Sequence, residues 1–377
     1  MPLNPNLKKA VYYSDCWVDD SRLVILNAID AAKLGARILT RTECVCAEPS
    51  QTGNGWSVTL VNKEDRSKQK IRAQIIINAT GPWVEHCLSE VIQGLPKQAL
   101  RRVRGSHIVV PRLFDHESAY IFQNPDNRIV FAIPYEQKFT MIGTTDSDFD
   151  GDLDAVRIKA EEIEYLCETA NRFFVQKISN DNVVWSFSGV RPLLDDGSGS
   201  ADRATRDYRL DLKKSASGAI SLSILGGKLT TYRKLAEQAI DKLGTVFDFR
   251  KLAWTLTASL PGGNMPGANI DAFIESTARK FPWLPDSLLR RYVTSYGTYV
   301  ELLMDGAMCL NGLGILLGPD LYEREVQYLV TNEWVRTAED ILWRRTKLGL
   351  NIDKAGAVQL QRWLDLNIPE LGLIRPQ

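Results

Sequence analysis

A run of three isoleucines in QIIINATGPW (74–83) is the feature that most constrains how this chain can fold. The run has no polar face, so it predicts a strand buried on both sides in the middle of a sheet. Strands of this kind occur where helices cover a sheet, which is the arrangement of α/β proteins. The small residues at 79–82 predict a tight turn, and such a turn lets the backbone approach a ligand lying across the strand ends.

The residues before this run predict one helix and further strands. DDS at 19–21 is an N-cap signal, apolar residues follow at helical spacing, and Gly35 is a C-terminal signal. Together they predict a helix of about four turns. Residues 37–41, 56–61 and 71–78 are predicted strands. The start of the chain therefore resembles half of an α/β layer that lacks a complete βαβ opening.

The middle and the end of the chain have different patterns of apolar residues and turns. Between residues 104 and 145, short apolar runs alternate with turns such as PDN and YEQK, which predicts an antiparallel meander. A helix near residues 160–174 and strands in VVWSFSGVRPL and TRDYRLDL are predicted next. After PGGNMPG (261–267), apolar residues recur at helical spacing, so we expect a small all-α domain from about residue 268. We interpret its helix EWVRTAEDILWRRTK as ion-paired and packed rather than catalytic.

Composition excludes several classes of function. The 377 residues are 44% hydrophobic and 24% charged, and 46 basic residues balance 46 acidic ones. A zero net charge argues against a nucleic-acid partner. The cysteines are scattered except for Cys44 and Cys46, a weak metal signal, so we interpret the cysteines as reduced, buried thiols. Neither a secretory signal nor a spanning helix is predicted, which leaves a peripheral membrane contact open.

A glycine pair between a predicted strand and a predicted helix is the second informative feature. In LSILGGKLTTYRKLAEQAIDKL (222–243), Gly226 and Gly227 precede a helix start, which presents N–H groups to an anion or an electron-rich ring. A Walker A loop is excluded because Leu222 and Leu229 occupy its glycine and Ser/Thr positions, and G-x-G-x-x-G is absent from the chain. Two interpretations remain: a plain strand–turn–helix connection, and a helix start that faces a ligand.

Eight blocks in family order resemble the FAD-dependent, respiratory glycerol-3-phosphate dehydrogenases of bacteria. These blocks span nearly the whole chain: YYSDCWVDDSRLV, IINATGPWV, GSHIVVPR, MIGTTD, WSFSGVRPL, TRDY, GGKLTTYRKLAE and EWVRTAEDILWRRTKLGL. A series of ordered blocks is far more specific than any single motif. The family's opening βαβ unit with G-x-G-x-x-G and its H-G-G-L-R-Y block have no counterpart, so we expect an N-terminally truncated form.

The resemblance implies an incomplete FAD/NAD(P)-binding fold of the glutathione-reductase type, in the α/β (α+β) class. An antiparallel substrate-binding sheet and an all-α C-terminal domain belong to that fold. The implied division is a partial FAD-binding domain (1–100), the antiparallel layer (101–190), an FAD-binding return segment (191–250), and a linker with the helical domain (251–377).

The implied reaction is oxidation of sn-glycerol 3-phosphate to dihydroxyacetone phosphate, with hydride transfer to FAD and onward electron transfer to a membrane quinone. The implied location is peripheral, on the cytoplasmic face of the bacterial inner membrane, and a homodimer is left open. Two rival functions stay open as well. One is a non-catalytic remnant that cannot hold FAD, and the other is a related flavin-dependent amine or amino-acid oxidase.

The resemblance also implies which residues form the site. Arg191 and His107 would be catalytic, and Arg206 would bind the substrate phosphate. The implied cofactor-binding residues belong to the turn after the isoleucine run and to the helix start: Ala79, Thr80, Gly81, Pro82, Trp83, Gly226, Gly227, Lys228, Leu229, Thr230 and Thr231.

Chemistry supports these assignments to different degrees. Arginine suits phosphate because its planar fork makes bidentate, charge-assisted bonds, and Arg191 would stabilise developing alkoxide charge rather than act as a base. His107 is a candidate for polarising the flavin or transferring a proton, although a lone strand histidine is more often structural. His86 and His116 are interpreted as surface residues. The positive end of the helix after Gly227, together with Lys228, would stabilise negative charge on the reduced flavin.

Overall fold

The computed structural model describes residues 2–51, 55–96, 100–194, 207–248 and 252–371. The chain divides into two compact units. The first contains Met1–Tyr13 and Arg41–Ala253, and the second contains Ser14–Thr40 and Trp254–Gln377. Helix α1 (Asp20–Lys33) therefore belongs to the second unit, with the C-terminal part of the chain. The boundaries of the four-part division stay a prediction.

The first unit is rich in strands. In chain order they are β1 (Thr42–Pro49), β2 (Trp56–Asn62), β3 (Lys68–Ala73), β4 (Ile75–Asn78), β5 (Arg101–Pro111), β6 (Tyr120–Gln123), β7 (Ile129–Tyr135), β8 (Phe139–Gly143), β9 (Ser147–Asp148), β10 (Trp185–Leu193), β11 (Tyr208–Lys214) and β12 (Ile220–Gly226). Its α-helices are α2 (Val84–His86), α3 (Ala160–Phe173) and α4 (Tyr232–Leu243). The strand predicted at 37–41 is absent, because β1 begins only at Thr42.

Strand β4, the isoleucine run, is an end strand of a small sheet with the order β11-β12-β4. It pairs in parallel with β12, with Ile75 opposite Ile220 and Asn78 opposite Ser223. Within the described ranges β4 pairs on one side only, and Ile77 is 48% exposed. The prediction of a strand buried on both sides in mid-sheet is therefore wrong for this structure. An apolar run indicates that both faces of a strand favour burial. The layers that would bury those faces come from other segments of the chain.

The predicted strand at 71–78 is in fact two strands, β3 and β4, that enter different sheets. β3 joins β1 and β2 in an antiparallel sheet with the order β1-β2-β3. Trp56 on β2 is 1% exposed, and its indole N–H donates to the carbonyl oxygen of Ile220 at 2.7 Å. This bond links the antiparallel sheet to β12 and hence to the small parallel pair.

The largest sheet has the order β10-β5-β8-β7-β6, with β9 paired to β5. It is the antiparallel meander that the sequence predicts, and it is extended by β10. Helix α3 packs on one face, where Ile108, Ile142 and Leu166 are at most 1% exposed. On the opposite face Ile121, Ile129 and Phe131 are 41%, 46% and 37% exposed. The sheet thus has one covered face and one that solvent or a ligand can reach.

The second unit is mainly helical, although a short β-hairpin departs from the predicted all-α domain. Besides α1 it contains α5 (Ile270–Lys280), α6 (Asp286–Tyr296), α7 (Val300–Met304), α8 (Glu323–Asn332) and α9 (Lys354–Leu371), with a short hairpin of β13 (Leu316–Gly318) and β14 (Leu321–Tyr322). Asp19 caps α1, because its side chain accepts a bond from the N–H of Arg22 at 3.1 Å. A single core of buried apolar side chains, including Leu289, Val326 and Leu360, joins helices α5 to α9.

The segment EWVRTAEDILWRRTK is not one continuous helix. α8 ends at Asn332, Trp334 has a left-handed backbone with φ 55°, and a π-helical turn follows at Asp340–Arg345. At the break, the side chain of Arg345 donates to the carbonyl oxygen of Glu333, which thereby has a hydrogen-bond partner outside a helix. The packing role is confirmed for Ile341 and Leu342, which are 0% and 3% exposed.

The cysteines do not match the predicted burial. Cys167 is buried, whereas Cys16, Cys44 and Cys309 are exposed. All six are free thiols. His86 and His116 are exposed, as the sequence predicts for surface residues.

Candidate functional site

The two segments predicted to bind the cofactor lie at the same edge of the small sheet. β4 and β12 are parallel, so the turn that follows β4 and the glycine pair that ends β12 are at their shared carboxyl edge. Ligands in open α/β sheets bind at this edge. The turn at Gly81–Trp83 also lies against β10 and β12, and β10 carries Arg191. The fold therefore brings three regions together that are far apart in the sequence.

Glycine is required at the pair because of both backbone conformation and space. Gly226 and Gly227 have φ values of 75° and 98°, in the left-handed region that side chains rarely adopt. A Cβ at Gly226 would lie 2.6 Å from the carbonyl oxygen of Asp207 and 3.4 Å from Leu194. The N–H of Gly227 donates to that same carbonyl at 3.2 Å. The turn is therefore pressed against the start of β11 and the end of β10.

The helix after the glycine pair begins with one 3-10 turn at Leu229–Thr231, followed by α4. The first N–H groups of a helix have no acceptor within it, and they carry the positive end of the helix dipole. Lys228, Leu229 and Thr230 are exposed, so this positive end is accessible. An accessible helix start behind a turn without side chains fits the electron-rich edge of a flavin ring.

The turn after β4 is held by its own polar side chains. The hydroxyl of Thr80 donates to the amide oxygen of Asn78 at 2.7 Å, and the amide nitrogen of Asn78 donates to the carbonyl of Val84 at 3.2 Å. Asn78 is 2% exposed, whereas Ala79, Thr80 and Trp83 are accessible. Gly81 has φ 57°, and a Cβ there would meet no atom within 4 Å. The predicted residues 79–83 thus form a rigid turn with an accessible outer surface.

Arg191 and His107 lie on the accessible face of the large sheet. Arg191 on β10 is opposite Val103 on β5, and His107 is opposite Phe187, so β5 residues 103, 105 and 107 share one face with Arg191. A Cβ at Gly105 would lie 2.6 Å from both terminal nitrogens of Arg191, which shows that the guanidinium lies over this glycine. The guanidinium is therefore about 7 Å along the strand from His107.

Two side chains that follow β8 bind the Arg191 guanidinium. Its Nη1 donates to Oδ1 of Asp146 at 2.5 Å, and its Nη2 donates to Oγ1 of Thr144 at 3.0 Å. The side chains of Arg191 and Asp146 are 34% and 26% exposed. Arg191 is thus oriented by the protein and yet reachable from the open face.

The imidazole of His107 is positioned by packing. It stacks on Phe187 with ring centroids 4.9 Å apart and an angle of 7°. It also lies over Gly143 of β8, where a Cβ would be 2.2 Å from the imidazole Cδ2. Two glycines, Gly105 and Gly143, therefore create the space that Arg191 and His107 fill.

Replacing Gly105 with alanine is expected to displace the guanidinium of Arg191 and the Thr144 hydroxyl that binds it, because the new methyl group would lie 2.6 Å from these side-chain atoms and meets no backbone atom among its nearest neighbours. A displacement of about 1 Å in a catalytic group can cost roughly 100-fold in rate. Gly189→Ala is the matched control, since Gly189 is opposite Gly105 and a Cβ there meets no atom within 4 Å. Steady-state kinetics and melting temperatures of both variants check this. Equal kcat values for the two alanine variants would contradict it.

One predicted site residue is not among the described residues. Arg206 lies outside the described residues, so its role in phosphate binding stays a prediction. Thr144, Asp146, Gly105, Gly143 and Phe187 were not singled out from the sequence. A glycine inside a strand pattern is a signal of close approach, and it could have pointed to Gly105 and Gly143. No sequence signal connects Asp146 to Arg191, because that pair depends on strand order.

Comparison with known families assigns both parts of the chain. Residues 1–233 match the family model described as FAD dependent oxidoreductase. Residues 253–374 match the C-terminal domain of alpha-glycerophosphate oxidase.

Comparison with individual proteins finds long, similar relatives. The chain is 45% identical over 368 residues to a glycerol-3-phosphate dehydrogenase of Pseudomonas aeruginosa, covering 98% of this chain and 71% of the relative. It is 43% identical to the aerobic glycerol-3-phosphate dehydrogenase of Escherichia coli K12, with coverages of 96% and 72%. A D-erythritol 1-phosphate dehydrogenase of Brucella abortus is 42% identical, with coverages of 97% and 72%.

A solved structure supports the same grouping. The glycerol-3-phosphate dehydrogenase of Bacillus halodurans in complex with FAD superimposes with a TM-score of 0.79 at 27% identity, covering 93% of this chain and 69% of the other.

Proposed function

The chain belongs to the family of FAD-dependent glycerol-3-phosphate dehydrogenases, and from this premise we propose that it oxidises sn-glycerol 3-phosphate to dihydroxyacetone phosphate. The observation that carries the proposal is the match over 98% of the chain at 45% identity. The cofactor is FAD, as in the family model and in the Bacillus halodurans complex. When bound, FAD supplies the acceptor for the hydride that leaves C2 of the substrate.

Two segments of this chain would bind the cofactor. The helix start at Leu229–Thr231 and the side chain of Lys228 would hold the electron-rich edge of the flavin ring, since both present positive charge. Residues 79–83 would lie along the rest of the cofactor, because their turn is at the same sheet edge. Neither segment contributes a reacting group, so their role is to bind and to tune.

Arg191 and His107 would act on the substrate. Loss of the hydroxyl proton places negative charge on the C2 oxygen, and the oriented guanidinium of Arg191 would stabilise that charge without losing its own proton. His107 is fixed on the same face and is the candidate for polarising the flavin or taking the hydroxyl proton. Arg206 would bind the phosphate dianion through its planar fork.

The substrate is tested by anaerobic flavin bleaching. The purified chain is mixed with FAD, and the visible spectrum is followed after adding glycerol 3-phosphate, D-erythritol 1-phosphate or glycerol. Rapid bleaching by glycerol 3-phosphate and none by glycerol is expected, because the phosphate supplies most of the binding energy. A faster reaction with D-erythritol 1-phosphate would transfer the proposal to the activity named for the Brucella abortus relative.

The same spectra distinguish this enzyme from a non-catalytic remnant and from an amine or amino-acid oxidase. A protein that stays colourless after dialysis against FAD would support the remnant that cannot hold the cofactor. Bleaching by an amine or an amino acid, with none by phosphate esters, would support the oxidase.

The electron acceptor and the location are further parts of the proposal. We infer that a membrane quinone takes the electrons and that the protein contacts the inner face of the cytoplasmic membrane. Within the described ranges, no helix has both the length and the apolar character that crossing a bilayer requires. Exposed apolar side chains in the second unit support a surface contact, with Leu302 59%, Met308 86% and Leu316 60% exposed.

Vesicle flotation with and without a ubiquinone analogue checks both inferences. Recovery of the protein in the floating fraction and quinone reduction that depends on glycerol 3-phosphate are expected. A protein that stays at the bottom of the gradient would contradict the membrane contact. A homodimer is also proposed, and sedimentation equilibrium measures it.

A further inference from the structure

The pairing of Arg191 with Asp146 needs an explanation beyond stability. Both side chains are partly exposed, at 34% and 26%, and ion pairs of this kind contribute little to folding. A carboxylate next to a site for a phosphate ester is also unfavourable in itself, because it repels the anion. We therefore expect the carboxylate of Asp146 to have a functional role that offsets this repulsion.

The segment that carries Asp146 is anchored from the covered face of the sheet. The hydroxyl of Thr145 donates to Oε1 of Glu162 at 2.7 Å and accepts a bond from the N–H of Ser106 at 3.0 Å. Glu162 also pairs with Arg104 at 3.0 Å, and these two side chains are 12% and 7% exposed. Asp146 thus projects from a backbone whose position is fixed by a nearly buried network.

Asp146 and Thr144 constrain the guanidinium of Arg191 in both position and plane. They bind two different nitrogens, Nη1 and Nη2, from one short segment. Two contacts on one planar group fix its rotation as well as its location. A guanidinium has five N–H donors, so these two bonds leave three for other acceptors. A long side chain that would otherwise sample several rotamers is thereby held flat over Gly105.

We propose that Asp146 is a positioning residue for the reaction and acts by holding the Arg191 guanidinium over Gly105. The hydroxyl of Thr144 contributes the second bond that holds this guanidinium. The inference rests on the proposed function, because that function assigns Arg191 to the substrate. Asp146 itself transfers no proton and contacts no substrate. Because Asp146 already restricts the side chain of Arg191, Arg191 loses less conformational entropy when it binds the developing alkoxide.

The first test measures the guanidinium directly and needs no turnover. Phenylglyoxal modifies accessible arginines, and peptide mass spectrometry gives a rate for each one. In Asp146→Ala the rate at Arg191 is expected to rise about threefold or more, since an ion-pair constraint of this class is lost. The rate at Arg101 should stay unchanged.

Asp148→Ala is the matched control. Asp148 lies two residues further along the chain and pairs with a different arginine, Arg101, at 2.7 Å and 2.9 Å. In this variant the modification rate should rise at Arg101 and stay unchanged at Arg191. Equal rates at Arg191 in the wild type and in Asp146→Ala would overturn the proposal.

Kinetics then connect position to reaction. Asp146→Ala is expected to lower kcat by about 10- to 100-fold, as misplacement of a catalytic group does, while Asp148→Ala stays close to the wild type. Asp146→Glu should restore part of the rate, and Thr144→Val should reproduce part of the loss if Asp146→Ala fails to fold. An unchanged kcat in Asp146→Ala would also overturn the proposal. An inactive wild type would refute the proposed function instead, and the labelling rates would still decide the role of Asp146.

Discussion

Replacing Arg191 with alanine is expected to lower kcat by roughly 100- to 1,000-fold, the loss seen when one donor to a developing oxyanion is removed. The structure supports a large effect because the guanidinium is already oriented by Asp146 and Thr144 and lies on the accessible face. Alanine removes the charge without disturbing the sheet, since Arg191 is partly exposed. Stopped-flow reduction of the bound flavin measures the change in the chemical step.

Two further variants sharpen this prediction. Arg191→Lys keeps the charge and loses the planar fork, so it is expected to recover only part of the rate. Arg206→Ala should instead raise KM, by about 10- to 100-fold, if Arg206 binds the phosphate in the ground state and the transition state alike. Equal, small changes in both constants for Arg191→Ala and Arg206→Ala would show that the two roles are wrongly assigned.

The second large effect is expected on stability, at a buried ion pair of the second unit. Arg22 of α1 binds both carboxylate oxygens of Glu333, at 2.5 Å and 3.0 Å, and the Glu333 side chain is 0% exposed. Burial by itself lowers the pKa of Arg22, but the attraction of Glu333 outweighs it and the pKa is raised. Glu333→Ala leaves an uncompensated buried charge, so we expect a loss of about 3–5 kcal/mol in the free energy of unfolding.

Urea unfolding measures this loss of stability, and an exposed ion pair of the same unit serves as the control. Lys280 and Glu301 form an ion pair at 2.7 Å in the same unit, with side chains 55% and 54% exposed. Glu301→Ala should therefore cost less than about 1 kcal/mol. The double variant Arg22→Met with Glu333→Leu should be more stable than Glu333→Ala alone, because it also removes the buried charge of Arg22 that Glu333→Ala leaves without its carboxylate. Similar losses at Glu333 and Glu301 would contradict the prediction.

The fold was predicted best where a pattern is local. The helix at 160–174, the antiparallel meander and the helical C-terminal part all follow from spacing and turn residues, and the structure confirms them. The long-range placements were missed. Residues 71–78 were predicted as one strand but divide between two sheets, and α1 lies against the helical turn at Asp340–Arg345, in one unit with the C-terminal part of the chain. Periodicity describes the faces of an element and does not name its partner.

The candidate site shows the same division. Gly226 and Gly227 could be singled out from the sequence, since a glycine pair before a helix predicts a backbone conformation that other residues rarely adopt. Their proposed role in binding FAD came from the family resemblance and not from the spacing. Asp146 could not be singled out, because nothing along the chain distinguishes it from Asp148, which pairs with another arginine.

The amino-acid sequence alone determined the family, the cofactor class and the types of the local elements, because motifs and periodicities are properties of neighbouring residues. The tertiary structure decided which of these residues lie close together. The parallel pairing of β4 and β12 places residues 79–83 beside Gly226–Thr231, and the pairing of β5 with β8 and β10 places Gly105 and Asp146 next to Arg191. Strand order and register are set by the packing of the whole unit, so no local stretch of sequence contains them.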